Sequence, residues 1–306
     1  MKHRENILLA IKILLGLVFI ASAVLKVFDL DKFELYIYSY HFFSLNLSFL
    51  VARVVIIVEL VLGVGLVSNT MHKCYWWGSM FMLLGYTLLL IFALFVGRSD
   101  SCHCFGDFLQ LDPKQSLLKN VVLMLLFLPA YRANEWKTPY RWLLFSMSLL
   151  VSSITVFAFS PPDNFTDAYD SDDNLQIDLF NELLGETPLD SLNLKEGKQV
   201  LCFFSTGCNY CQMAAQKLSL MQSYYGFPAD HITFVFMGSE EGIVRFYEKS
   251  QSAEYRNVLY DNVINLLKAI DGQFPTLVFM KEGDVVYQYG FRDMKESEIK
   301  SFFTQP

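Results

Sequence analysis

Apolar and polar residues follow two patterns along the chain, and the change falls near residue 160. Before it, apolar residues run in long blocks at approximately 7–28, 47–67, 75–97, 117–131 and 141–160. A bilayer core of roughly 30 Å takes about 20 helical residues, so the five blocks read as transmembrane helices, the fourth being the shortest. Buried helices of a soluble protein are the alternative, and five in succession argue against it. After residue 160 the apolar runs become short. Residues 199–204 and 232–237 are β-prone, and "PTLVFMKEGDVVYQYG" at 275–290 reads as two strands turning at Lys281-Glu282-Gly283-Asp284. The residues that follow Cys208 take helical spacing, and "KESEIKSFF" closes the chain as a helix. The fold class predicted is an α-helical transmembrane bundle over 1–160, a linker over 161–174 and an α/β domain over 175–306.

Composition sharpens this division. Over 306 residues the hydrophobic share is 53%, and the mean hydropathy is +0.33, but the average conceals a contrast. Residues 1–160 carry a net charge of +4 and residues 161–306 a net charge of −11, which together give the overall −7. No basic patch suited to nucleic acid is present. The segment "SPPDNFTDAYDSDDN", with two prolines and five aspartates, reads as a solvated linker. Lys2, Arg4 and Ala21-Ser22-Ala23 imitate a cleavable signal. Lys12 interrupts its apolar core, however, and four more blocks follow, so an uncleaved helix is the preferred reading. With the N-terminus in the cytoplasm, inner segments hold Lys2, Arg4, Lys73, Arg132, Lys137 and Arg141, and outer loops hold Lys32, Arg98 and Lys114. That bias follows the positive-inside rule, although counting Lys26 and Lys119 at helix edges narrows it. The chain is then a multi-pass protein of an inner or plasma membrane, with its C-terminal domain extracytoplasmic.

Ionisable residues inside spans are costly and face protein or water. Glu59 lies mid-way along the second block, Arg53 nearer its outer end, and Lys12 at a depth comparable to Glu59. They read either as an internal ion pair or as a polar wall for a quinone headgroup or a proton path. No motif fixes a cofactor; a lipid quinone is the candidate carrier.

The cysteines supply the chemistry. Cys208 and Cys211 open a helical pattern, where the positive end of the helix and its unpaired N–H groups stabilise a thiolate. Cys208 is the candidate nucleophile, and Cys211, one turn further in, the candidate resolving thiol. A lone C-x-x-C is also half of a zinc site, but this half of the chain has no second pair at suitable spacing. Cys202, on the preceding apolar run, reads as a core residue. From strand through Cys208-Asn209-Tyr210-Cys211 to Phe274-Pro275-Thr276, hairpin and terminal helix, residues 175–302 resemble the thioredoxin family, above all its membrane-tethered TlpA-like branch. The resemblance implies a cis peptide before Pro275, with Pro275 facing the dithiol as a substrate-side platform. It departs from the family at Gly207, where an aromatic residue is usual, and in the Asn-Tyr dipeptide between the cysteines.

A second pair flanks His103 in "SCHCFGD". Cysteines at i and i+2 close only a tight ring, and strain makes a disulfide more oxidising. Cys102 and Cys104 therefore read as an exchange pair, with His103 assisting a thiolate or a proton transfer. A soft Cys-His-Cys metal site and unpaired structural thiols remain alternatives. "ASAVLKVFDLDKF", Glu59 in "VELVLGVGL" and "CHCFGD" resemble the MauE family, related to the DoxX-like membrane proteins, over roughly residues 7–130. That resemblance implies disulfide handling outside the cytoplasm. Cys74, at the far end of the third block, is some 40 Å of helix from Cys102 and reads as a structural thiol. Together these readings describe a membrane thiol–disulfide oxidoreductase acting on exported thiol or disulfide proteins. The rivals are a non-catalytic assembly factor and a metal-handling protein.

Overall fold

The computed structural model describes residues 2–98, 111–133, 139–161, 175–194 and 196–304. The chain divides into two compact units, Met1–Pro162 and Asp163–Pro306.

The first unit is helical: α1 (Lys2–Phe28), the short α2 (Leu30–Tyr38), α3 (Leu45–Ser68), α4 (His72–Phe95), α5 (Pro113–Ala130) and α6 (Arg141–Phe159). The long helices run up and down beside one another. Lys12 of α1 bonds Asn69 beyond the end of α3, while Lys26 near the end of α1 reaches Glu59 further back along α3. Trp76 Nε1 near the start of α4 donates to the Phe127 carbonyl near the end of α5 at 2.8 Å. The Arg53 guanidinium near the start of α3 donates to the Ser160 carbonyl beyond the end of α6 at 2.9 Å. One end of the bundle therefore gathers the ends of α1, α4 and α6 and the starts of α3 and α5. α1, α3, α4 and α6 are long and apolar enough to cross a membrane. α5 has 18 residues, about 27 Å at 1.5 Å per residue. It is less apolar than the other four because its first turns carry Lys114, Gln115 and Lys119, yet it runs the length of the same bundle.

The unit buries charge and exposes apolar surface, the reverse of a soluble domain. Lys12, Lys26, Glu34, Arg53 and Glu59 are buried, while Phe28, Phe81, Phe95, Leu125 and Ile154 stand outward. α6 buries only Ser152 and Val156 of its 19 residues. α1 and α3 touch backbone to backbone: a Cβ on Gly16 would lie 2.8 Å from the Gly63 carbonyl oxygen. This antiparallel crossing separates Lys12 from Glu59, although their positions along the blocks place them at comparable depths. It sets Lys12 against the C-terminal end of α3, and the partner of Glu59 is Lys26, at 2.6 Å.

The second unit is an α/β domain: α7 (Ile177–Leu184), β1 (Lys198–Ser205), α8 (Asn209–Tyr225), β2 (Ile232–Met237), α9 (Glu240–Ser250), β3 (Arg256–Leu259), α10 (Val263–Ala269), β4 (Thr276–Lys281), β5 (Asp284–Tyr289) and α11 (Glu296–Thr304). The sheet order is β3-β2-β1-β4-β5. β1 and β2 pair in parallel, as do β2 and β3; β1–β4 and β4–β5 are antiparallel. β1 is central and covered on both faces, so "VLCFF" is an unbroken apolar run rather than an alternation. Leu201 and Phe203 enter the core shared with α7 and α10. Phe204, on the other face, meets Phe234 and Phe246 with ring centroids 4.9 and 5.5 Å apart. The sequence reading missed β3, whose four residues include exposed Arg256 and Asn257.

Candidate dithiol site

Strand β1 ends at Ser205, and two short bonds turn the chain into α8. Thr206 N–H donates to the Met237 carbonyl at 3.1 Å, and Cys208 N–H to the Ser205 carbonyl at 3.1 Å. Cys208 becomes the N-cap of α8, with φ −84° and ψ 119°. Its sulfur takes the place of a serine or aspartate oxygen at such a position and accepts the Cys211 backbone N–H at 3.3 Å.

This geometry separates the two thiols. Cys208 is partly exposed, and its pKa is lowered to about 6. The largest cause is a hydrogen bond from the Cys211 thiol, and the backbone N–H groups of Cys211 and Tyr210 add to it, together outweighing burial. Cys211 is fully buried, and burial, then the neighbouring Cys208, push its thiol far up. One sulfur is thus held as an accessible thiolate, and the other as a protonated thiol one turn inside. Burial also raises Cys202, which faces only the core.

The register of the sheet brings Pro275 to the same end. Phe203 pairs with Thr276, so Pro275 precedes β4 at the end of the sheet where β1 turns into α8. The Phe274–Pro275 peptide is cis. Sequence reasoning did not find the adjoining wall. Tyr210 is exposed and its ring lies 5.8 Å from that of Phe291. Fully buried Lys217 donates to the Phe291 carbonyl at 2.9 Å and lies 5.1 Å from the Phe291 ring centroid. A Cβ on Gly290 would approach the Pro275 carbonyl at 3.8 Å. Nothing local in "QYGFRDM" announces that this loop meets α8, because the approach depends on the β5 register.

In the helical unit, Glu59 and Arg53 are not brought into one polar wall. Glu59 pairs with Lys26. Arg53 pairs with Glu34 and donates to the carbonyls of Phe49 (2.7 Å), Ser160 (2.9 Å) and Pro161 (3.0 Å). Arg53 thus ties α2, α3 and the end of α6 together. Cys102, His103 and Cys104 lie outside the described residues. The last described residue before them, Arg98, donates to Ser39 Oγ at 2.7 Å and lies 4.5 Å from the Tyr40 ring centroid. Cys74 is exposed in the first turn of α4, at the opposite end of the bundle.

Comparisons with known proteins reach both units. Residues 4–132 match the family described as methylamine utilisation protein MauE. Protein TlpB of Flavobacterium psychrophilum is 23% identical over 304 residues, covering 80% of each chain. The thioredoxin domain of a thiol-disulfide oxidoreductase from Bacteroides vulgatus is 20% identical, with a TM-score of 0.32, covering 37% of this chain and 83% of that one. A secreted disulfide oxidoreductase of Mycobacterium tuberculosis is 18% identical, with a TM-score of 0.29, covering 37% and 84%. The family match thus covers most of the helical unit, and the chain joins to that unit an α/β domain built on a five-stranded sheet.

Proposed function

We propose that the protein is an integral membrane thiol–disulfide oxidoreductase that exchanges electrons between the Cys208–Cys211 dithiol and the Cys102–Cys104 pair. The observation that carries this reading is the unequal pair at the start of α8, an accessible Cys208 thiolate above a buried, protonated Cys211. Thiol exchange needs an attacking thiolate and a second thiol to resolve the mixed disulfide. At a pKa of about 6, roughly 90% of Cys208 is thiolate at pH 7, against a few per cent for an ordinary cysteine. In the step, the Cys208 sulfur bonds one sulfur of a disulfide and expels the other as a thiolate. Cys211 then gives its proton to solvent, attacks Cys208 and releases the client with both sulfurs reduced. The reverse sequence oxidises the client. Pro275 and the Tyr210–Phe291 wall frame the approach to Cys208, and His103 assists the leaving thiolate of the Cys102–Cys104 pair. The clients are exported thiol or disulfide proteins, the membrane is an inner or plasma membrane, and the thioredoxin-like domain lies on its outer side. The helix ends support a common side: Arg98, which leads to Cys102, and Ser160, which leads to the second domain, lie at the same end of the bundle.

The test is the Cys211→Ser protein, which lacks the resolving thiol. Non-reducing mass spectrometry of the purified chain should find Cys208 bonded to Cys102 or Cys104. If Cys208 is bonded only to other proteins, even after Cys102 or Cys104 is singly replaced, the two pairs are separate devices on one chain.

A further inference from the structure

We propose that an aromatic pocket inside the helical bundle is the binding site for the ring of a lipid-soluble quinone. This deepens the reading above and rests on it for the source of the electrons. The pocket lies at the bundle end from which Arg98 departs. Phe33, Tyr36, Tyr40, Val55 and Tyr86 line it together with Lys26, and its volume is about 160 Å³. An engineered cavity of about 150 Å³ holds one benzene, so the space suits a single six-membered ring rather than a folded chain.

Its walls are almost wholly apolar, and the exception is chemically specific. Lys26 is buried and its ammonium is held by the Glu59 carboxylate at 2.6 Å and Ser22 Oγ at 2.8 Å. An ammonium has three donors; among the described residues, these two bonds leave one N–H of Lys26 without a partner. The same nitrogen stands 5.7 Å from the Phe33 ring centroid and 5.3 Å from that of Tyr86. The Tyr86 hydroxyl, buried and without a well-aligned hydrogen bond, lies beside Glu59.

This pattern selects among occupants. A water would find at most the Lys26 N–H and the Tyr86 hydroxyl, because the Tyr36 and Tyr40 hydroxyls bond each other, and it would leave most of the space against apolar walls. An acyl chain would fill the space but leave the ammonium N–H facing hydrocarbon, which is costly for a buried charged donor. A quinone satisfies both demands: a flat ring lies between aromatic walls, and a carbonyl oxygen accepts from Lys26. The balance is then complete. A quinone that takes two electrons and two protons leaves as the quinol, while two thiols lose the same and close one disulfide; the reverse direction balances equally. Arg98 packs over Tyr40 at the pocket. Cys102 follows it by four residues, so covalent geometry keeps their Cα atoms within about 15 Å.

The test uses the full chain in lipid nanodiscs, in a Cys102→Ser, Cys104→Ser background where no thiol step is available. Binding of a short-tailed benzoquinone is measured by equilibrium dialysis. Saturable binding of one ring per chain is expected, weakened at least tenfold by Lys26→Gln. Val55→Phe fills the pocket from α3 and leaves the ion pair alone, so it should weaken binding equally if Lys26→Gln disturbs folding. Absent binding, binding indifferent to Val55→Phe, or native mass spectra showing a phospholipid displaced in place of the quinone would each overturn the assignment. Because binding is read without chemistry, saturable binding that depends on Lys26 and Val55 upholds the site even where reduced wild-type protein produces no quinol. In that case it is the electron-exchange reading that fails.

Discussion

Titrating Cys208 tests the dithiol geometry most directly. The sulfur accepts from the Cys211 thiol and from backbone N–H groups at the helix start, and its pKa lies at about 6. Cys211→Ala removes the thiol donor and keeps the backbone N–H. A hydrogen bond to a charged group contributes about 1.5–3 kcal/mol, and one pH unit corresponds to about 1.4 kcal/mol. The midpoint should therefore rise by roughly one to two units. The assay is the pH dependence of iodoacetamide alkylation of the reduced protein, with Cys208 followed by peptide mass spectrometry. Stability has a defined sign. The folded pKa lies below the unfolded value, about 8.5, so between these limits the unfolded chain binds more protons. The Cys208 contribution is full above about pH 8.5 and is lost as pH falls through about 6. Reduced protein should gain melting temperature over that window relative to a Cys208→Ser variant. A wild-type midpoint above about 8, or an unchanged midpoint in Cys211→Ala, would show that the α8 N-terminus does not hold the thiolate.

Three further outcomes follow from the two units. With the proposed orientation, an impermeant maleimide added to intact, reduced cells should label Cys208 and spare Cys74; the opposite labelling would invert the topology. Arg53→Met strips Glu34 of its buried partner and should cost about 3–5 kcal/mol. Urea unfolding of the detergent-solubilised chain measures this, and a loss below about 1 kcal/mol would remove Arg53 from its tying role. A Cβ on Gly63 would lie 2.7 Å from Ile20 Cγ1 and 2.9 Å from the Gly16 carbonyl oxygen. Gly63→Ala should therefore force α1 and α3 apart at about 1–3 kcal/mol, and an unchanged melting temperature would refute that contact.

What was legible in the sequence was whatever local spacing determines. Long apolar blocks gave the spanning helices. A β-prone run, a turn and C-x-x-C gave strand, loop and helix start, and the Lys281–Asp284 turn gave the β4–β5 hairpin. What stayed hidden depends on how elements meet. Lys26 sits at the edge of its block and looked like a flanking charge. Only the antiparallel crossing at Gly16 and Gly63 delivers it to Glu59. Arg53 was visible as an intramembrane charge, but its partners beyond its own helix are Glu34 on a nine-residue helix and carbonyls more than a hundred positions away. Lys217 lies in an apolar helical stretch, and no spacing rule sends it to the Phe291 carbonyl. Strand β3 is short, polar and at the sheet edge, where pairing with β2, rather than composition, defines it.

The pairing of buried charges in the bundle also bears on how the chain is made. Lys26 with Glu59, Arg53 with Glu34, and Lys12 with Asn69 all fall within the first 69 residues. A lone Lys, Arg or Asp at the centre of a span costs about 2.5–3.5 kcal/mol during insertion. Five such ions presented singly to lipid would oppose insertion by roughly 12 kcal/mol or more. Once Asn69 has left the ribosome, each of them already has its partner on the same nascent segment. The α1–α2–α3 unit can thus leave the translocon with each buried ion already paired or hydrogen-bonded, before α4 is synthesised.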